Sequence, residues 1–578
     1  SNKEWIDQTS MKNHISDVSP TASQMSRLVG LGLASKIYRN NRIKNSSKFS
    51  NNGNEIVWGS IGNASTSQGV FFEAVNACGV MQIPAIISIW DDGYGISVDN
   101  KYHTTKESIS KVLSGFKLTK NDSGIEILEV KGWDYSSLMK TYSYAENIAR
   151  NYHVPVIIHA TELTQPLGHS TSGSHERYKS KERLDWEKSN DCNLKFREWI
   201  IKNKICTEKK LDNIDNEIKK YVKEEKRLSW KHYQAPFLKS KDELIDIIDL
   251  FDNNDLKEEL KEKVKSIDDL NFSELLKIAR NIIYDLNSNN ELIKNKLEDW
   301  CKLKKNLLSE KYSTDLYSIN VGDLSKKTSI SPAYDNINEV DGRIILRDNF
   351  DELLKNYDNL FIFGEDVGKI GDVNQGLEGL QKKYGKNRVF DTGIRESTIV
   401  GQAIGMALRG LRPIAEIQYL DYILYALQIL SDDLATLSYR THGRQMSPII
   451  VRTRGHRLEG IWHAGSPLGG LINFLRGIFI LTPRNMTKAA GFYNSLMKLD
   501  QPAILIEPLN GYRTKEKMPS NLGKLETAIG EVDIIKEGKD LTIVSYGSTL
   551  NIVEKVGKKL LDYDIDCEII DLQSLIPF

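Results

Sequence analysis

What most constrains this 578-residue chain is a pair of small-residue loops, 29 positions apart at Asn63 and Asp92 (92 − 63), each of which follows an apolar run. Glu55 to Ser60 reads as a buried strand that runs out into Ile61-Gly62-Asn63-Ala64-Ser65, where small residues let the backbone approach something closely. Val70, Phe71, Ala74, Val75, Cys78 and Val80 predict an amphipathic helix, and Pro84 to Ile89 predicts a second buried strand that delivers Asp91, Asp92, Gly93 and Tyr94. A strand-helix-strand unit takes about 30 residues and runs its strands in parallel. Asn63 and Asp92 therefore emerge at one carboxyl edge, where open α/β sheets bind ligands. Either loop alone reads as a turn; together they read as a ligand site whose oxygen donors suit a hard cation such as magnesium.

At these positions the chain resembles the decarboxylating first component of 2-oxo acid dehydrogenase complexes, in which Gly-Asp/Glu-Gly opens a thiamine diphosphate motif and Asn-Asn-x-Tyr closes it. Gly62-Asn63-Ala64 and Asp91-Asp92-Gly93-Tyr94 stand at those places. The usual acid is thus an amide in the first loop, and the usual amide an acid in the second. The resemblance implies Asn63, Asp92 and the carbonyl of Tyr94 as Mg2+ ligands, with Gly62, Ala64, Ser65 and Ile96 also at the cofactor. Ser19 to Gln24 matches the segment beside the aminopyrimidine and thiazolium, which nominates Ser19 and Thr21; by itself it is a helix start. Gly168 to Gly173, after the apolar run Val154 to Ile158, resembles the family's His-Ser loop. That likeness implies His169 near the diphosphate and in the later acyl transfer, and puts Ser170 where some relatives are phosphorylated.

The second half continues the resemblance in the family's order. Leu360 to Gly368 is an apolar strand that breaks into an acidic loop, and Arg388 to Glu396 is another, with Gly393 where the family has proline. The likeness implies Ile394 at the cofactor and Glu396 as the catalytic acid hydrogen-bonded to the aminopyrimidine, its pKa raised if buried. Read without it, Glu396 is a carboxylate stabilising a helix N-terminus. Glu416 to Tyr422 resembles the segment holding the pyrimidine and nominates Gln418 and Tyr422. Arg454 to Ser466 places His463 where the family has its active-site histidine, while His456 has no such role. The alternative is a basic surface loop that binds any anion.

Lys and Arg total 78 and Asp and Glu total 78, a balance that gives no reason to expect nucleic acid. Five scattered cysteines lack metal spacing, and their odd count points away from a disulfide framework and toward a reducing cytoplasm. The longest apolar run, Leu471 to Leu481, is interrupted by Asn473 and Arg476 and falls short of a membrane span. No signal peptide is read.

The expected architecture is α/β, with two thiamine diphosphate-binding domains whose parallel sheets are flanked by helices. Residues 1–185 read as an alpha-type diphosphate and metal-binding domain, 186–340 as a charged helical linker, 341–522 as a beta-type pyrimidine-binding domain, and 523–578 as the start of a transketolase-type C-terminal domain. One polypeptide would then fuse what many relatives carry as alpha and beta chains, and both ends read as incomplete. In the linker, Leu244 to Leu250 and Leu275 to Ile283 carry apolar stripes expected to pack on a domain surface, their charge a solvated face or a dock for the next enzyme.

The family resemblance implies oxidative decarboxylation of a 2-oxo acid, branched-chain ahead of pyruvate, with reductive acylation of the lipoyl group of a dihydrolipoyl acyltransferase, in at least a homodimer. Two other readings stand beside it: another thiamine enzyme of transketolase type, and a non-catalytic scaffold subunit.

Overall fold

The computed structural model describes residues 5–169, 174–286, 290–312, 314–317, 329–335, 338–457 and 459–578. Two compact units emerge: residues 1–196 with 315–578, and residues 197–314.

In the larger unit, helix α1 (Gln24–Asn40) precedes a four-stranded sheet of β1 (Val57–Gly62), β2 (Ala85–Trp90), β3 (Glu126–Lys131) and β4 (Val156–Thr161). All are parallel, in the order β1-β2-β4-β3, and α2 (Gly69–Met81) crosses from β1 to β2. β2 is buried from Ala85 to Ile89, as a strand covered on both faces must be, which is why it reads as a continuous apolar run. The register pairs Gly62 with Trp90, so the Asn63 and Asp91-Asp92 loops leave the sheet side by side.

A second sheet has seven strands: β5 (Leu360–Gly364), β6 (Val389–Asp391), β7 (Arg412–Glu416), β8 (Ile450–Gly455), β9 (Phe479–Leu481), β10 (Ala503–Pro508) and β14 (Ser574–Ile576). Its order is β14-β9-β10-β8-β7-β5-β6, with β14 antiparallel to β9. A third sheet joins β11 (Asp533–Lys536), β12 (Leu541–Ser545) and β13 (Cys567–Asp571) in the order β11-β13-β12.

Helix α7 (Glu396–Leu408) packs directly on α1 within one core that also takes in Phe71, Ile87, Phe363 and Val451. Glycines make the approach possible: a Cβ on Gly30 would overlap the carbonyl of Gln402, and one on Gly405 the carbonyl of Arg27.

The described residues of the 197–314 unit are mostly helical. Their apolar stripes, expected on a domain surface, instead pack on one another: Leu244 and Ile248 of α4 (Glu208–Ile248), Leu275, Ala279 and Ile282 of α5 (Phe272–Asp285), and Leu297 and Trp300 of α6 (Glu291–Tyr312) form a core of their own. With the helix Asn254–Lys265, which lies between α4 and α5 and adds Leu260 and Val264, four amphipathic helices satisfy each other's stripes. The ammonium of Lys304 is buried there against Glu243 at 2.6 Å. Among the described residues no helix is long and apolar enough to cross a membrane.

Candidate active site

The carboxyl edge of the first sheet opens into a cavity of about 260 Å³. Ser19, Thr21, Gly62 and Ser65 line it, together with Gln24, Ser60 and Trp90. The Ser19 segment is held from the other half of the larger unit: the Ser19 amide donates to Asp432 Oδ2 (3.3 Å), and buried Asp433 pairs with Arg27 (3.0 Å) and Arg440 (3.1 Å), both of which also reach Ser16. Gln24 Nε2 donates to the Ser60 carbonyl (3.1 Å) and ties the segment to β1.

Asn63 is 5% exposed. Its Nδ2 donates to Asn100 Oδ1 (2.7 Å), and Asn100 Nδ2 donates to both oxygens of Asp91 (3.1 and 3.3 Å). Asp91 also meets His159 Nε2 from β4 (2.9 Å) and accepts from the Gly93 amide (2.8 Å). Burial pushes the Asp91 carboxyl up, but the bonds from His159, Gly93 and Asn100 outweigh it and hold the group below the usual carboxylate range. Asp92 turns elsewhere: Oδ1 accepts from the Tyr94 amide (3.1 Å), and burial raises this carboxyl. The Asp92 carbonyl accepts from Arg183 Nη2 (2.7 Å) on α3 (Lys181–Ser189). Glu187 binds Arg183 (2.9 Å) and Lys179 (2.7 Å), and both cations lie over the Tyr94 ring, at 5.6 and 5.0 Å from its centroid.

The donor types on these two loops suit a divalent cation that brings further oxygen ligands with it. Among the described residues, no hydrogen bond engages Asn63 Oδ1 or Asp92 Oδ2. Both are hard oxygen donors on adjoining loops, as magnesium on a diphosphate requires. Among the same residues, no group of three or more His, Cys, Asp or Glu could hold a metal by itself. Ala64 lies against Gly95, where a Cβ would overlap it, and Ile96 is exposed with a left-handed φ of +60°. His169 is exposed, and Ser170 to Gly173 lie outside the described residues.

The second-half residues lie outside that cavity's lining. Glu396 is the first residue of α7, and Ile394, 81% exposed, stands two positions ahead of it. Burial, then the nearby charges of Glu396 and Asp366, raise the Glu365 carboxyl. Gln418 Nε2 donates to Asp366 Oδ2 (2.9 Å). Asp366 holds a left-handed φ of +57°, an uncommon conformation for a residue with a side chain. The His463 ring stacks on Tyr419 (centroids 3.7 Å apart, planes 13° apart) and meets Tyr422 edge-on at 5.7 Å. None of Glu396, Gln418, Tyr422 and His463 lines the cavity at Ser19 and Gly62.

The Arg454–Ser466 stretch does not begin as a surface loop. Arg454 lies in β8, fully buried, and pairs with Glu416 at 2.6 Å. Beside it Arg452 binds Asp372 (2.9 Å), Glu507 (2.9 Å) and Glu416, with Tyr512 and Tyr493 completing the cluster. Three carboxylates face two guanidiniums, and burial pushes Glu416 up to about 7. His456 is buried against Tyr546 and bonds Ser466 Oγ (3.0 Å).

The reading from sequence passed over Asn100, His159 and Tyr419. His159 leaves one trace, a lone polar residue inside the apolar run of β4, but its partner Asp91 lies 68 positions away.

Comparison with known proteins brings three family models to this chain: the dehydrogenase E1 component at residues 2–236, the transketolase pyrimidine binding domain at 338–515, and the transketolase C-terminal domain at 530–578. The pyruvate dehydrogenase E1 component subunit beta of Acholeplasma laidlawii is 36% identical over 229 residues, covering 39% of this chain and 69% of the relative. The 2-oxoisovalerate dehydrogenase subunit beta of Pseudomonas aeruginosa is 33% identical over 269 residues, or 43% of this chain and 76% of the relative. Among solved structures, the transketolase of Campylobacter jejuni superposes with a TM-score of 0.55 at 14% identity, covering 96% of this chain and 71% of the other, a likeness of fold. On the strength of these relatives and domain matches, the chain belongs to the thiamine-dependent 2-oxo acid dehydrogenase E1 family.

Proposed function

We propose that this chain carries out thiamine diphosphate-dependent oxidative decarboxylation of a 2-oxo acid and passes the acyl group to the lipoyl group of a dihydrolipoyl acyltransferase. The observation that carries the reading is the open cavity whose walls, Ser19, Thr21, Gly62 and Ser65, adjoin the Asn63 and Asp92 loops. Gly62, Ala64, Ser65 and Ile96 take the diphosphate, while Asn63, Asp92 and the Tyr94 carbonyl hold Mg2+. When bound, thiamine diphosphate supplies the nucleophilic carbon and the electron sink for decarboxylation. Glu396 shares a proton with the aminopyrimidine ring nitrogen, and Ile394, Gln418 and Tyr422 hold that ring. His463, kept flat by Tyr419, donates an N–H to the substrate carboxylate or relays a proton. His169 serves the acyl transfer.

On this reading residues 1–185 are an alpha-type domain, 186–340 a helical linker, 341–522 a beta-type domain and 523–578 part of a transketolase-type C-terminal domain, so one chain joins two subunit types. That none of Glu396, Gln418, Tyr422 and His463 lines the Ser19–Gly62 cavity supports a homodimer in which each site draws on two copies. Branched-chain substrates stand ahead of pyruvate, because Gly168 to Ser172 and Glu416 to Tyr422 resemble branched-chain members, and relatives of both kinds align.

The test is calorimetric titration of thiamine diphosphate with magnesium, followed by acylation of a lipoyl domain from branched-chain 2-oxo acids and from pyruvate. Metal-dependent binding that Asp92→Ala abolishes, with lipoyl acylation, is the expected result. Ketol transfer between sugar phosphates would give the site to a transketolase-type enzyme, and absence of cofactor binding would leave a scaffold subunit.

A further inference from the structure

An amide side chain has two unlike ends, and at Asn63 a directed chain of hydrogen bonds decides which end faces the site. The chain begins in β4, where His159, 1% exposed, meets Asp91 Oδ2 at 2.9 Å while the Gly93 amide donates to Oδ1 at 2.8 Å. Asp91 as a carboxylate only accepts. Asn100 must therefore turn its NH2 toward Asp91 (3.1 and 3.3 Å), which turns its Oδ1 toward Asn63. Asn63 completes the sequence by donating Nδ2 to that oxygen (2.7 Å), which leaves its own Oδ1 without a hydrogen bond among the described residues.

We infer that Asp91 and Asn100 are positioning residues that orient the Asn63 amide so that it offers oxygen, and not NH2, to the bound cation. The inference rests on the magnesium reading proposed above. A flipped Asn63 would point two N–H donors at a dication, so the orienting chain acts on affinity without touching the ion. Removing an outer partner of a metal ligand typically costs about 10- to 100-fold in metal affinity.

Substitutions at both ends of the chain test this. An amide at position 91 keeps its oxygen for the Gly93 amide and sets an NH2 in place of Oδ2, against the Asn100 NH2, so Asp91→Asn weakens the direction while keeping the shape. Mn2+ binding followed by electron paramagnetic resonance, with thiamine diphosphate present, is expected to weaken by about tenfold or more. Asn63→Asp is the diagnostic partner, because both ends of a carboxylate are oxygen. In the native background it sets a carboxylate against Asn100 Oδ1, which Asp91 locks in place, so binding does not tighten despite the added charge. In the Asp91→Asn background Asn100 is free to turn its NH2 toward position 63. The double variant is therefore expected to recover to within about threefold of the wild type, a non-additivity reserved for residues in one network.

A purely structural role for Asp91 in folding the loop would not be rescued by Asn63→Asp. Thermal unfolding without ligands establishes that each variant folds. Should Asp91→Asn fail to fold, Asn100→Ala cuts the same chain and is read the same way, with affinity lost and then recovered on adding Asn63→Asp. Additive effects, or an unchanged affinity in Asp91→Asn, would overturn the orienting role while leaving the magnesium site standing. Absence of Mn2+ binding by the wild type would overturn both.

Discussion

One carboxylate oxygen of Glu73, on the helix that follows the first loop, accepts from both the hydroxyl (2.7 Å) and the backbone amide (3.2 Å) of Thr398, near the start of the helix that begins with Glu396. The amides of a first helical turn have no partner within their own helix. Thr398 is fully buried, so this one finds its acceptor across the structure. Glu73→Ala leaves two buried donors unsatisfied and is expected to cost about 1–3 kcal/mol in urea unfolding. Glu73→Gln, which keeps an acceptor oxygen, is expected to cost less.

The same two halves of the larger unit meet where Gly30 of α1 touches the backbone of Gln402 in α7. Gly30→Ala puts a methyl group on top of a carbonyl that neither helix can move without the other. The expected loss is about 1–3 kcal/mol, as for overpacking in a filled core, seen as a lower urea midpoint with an unchanged slope.

Stacking between Tyr419 and His463 separates ring orientation from cofactor affinity. Tyr419→Leu removes the flat surface that sets the imidazole plane, while the walls of the Ser19–Gly62 cavity remain. Thiamine diphosphate affinity by calorimetry is expected to stay near that of the wild type, and kcat to fall about tenfold or more, the scale of a misplaced catalytic group. Glu396→Gln is expected to lower kcat by about 10²–10⁴-fold, the usual share of a general acid-base group.

Glu416 makes stability depend on pH in a stated direction. Its carboxyl is raised from 4.5 to about 7 by burial and by the charges of Asp372 and Glu507, against the pull of Arg454 and Arg452. The folded chain then holds a proton that the unfolded chain has released, so this group's contribution is fully present below about pH 4.5 and is lost as pH rises through about 7. The contribution is on the order of 3 kcal/mol at about 1.4 kcal/mol per pKa unit. Glu416→Gln is expected to flatten the fall in unfolding free energy between pH 5 and pH 8, measured by urea titration at each pH.

Much of the fold was legible in the chain because a strand covered on both faces is largely apolar, as Ala85 to Ile87 of β2 and Leu360 to Phe363 of β5 are. The 29-position spacing of Asn63 and Asp92 brought two loops to one sheet edge without any knowledge of contacts, because a crossover helix of that length leaves the strands no other arrangement. The linker's stripes were legible as helices, yet their partners were not, since a stripe states that it must be covered and not by what.

Sequence by itself determined the α/β class, the order of the loops and the residue types they carry, because strand and helix periodicity and turn chemistry are local properties. Only the tertiary structure decided that Asp91 joins Asn63 through Asn100 while Asp92 turns toward Tyr94 and Arg183, that His463 lies flat on Tyr419, and that Arg452 and Arg454 are buried among acids. Arg452 and Asp372 are 80 positions apart, and His159 and Asp91 are 68 apart. The direction of a hydrogen bond and the burial of a charge are set by whichever group the packed fold brings opposite, and that is a property of distant residues in contact.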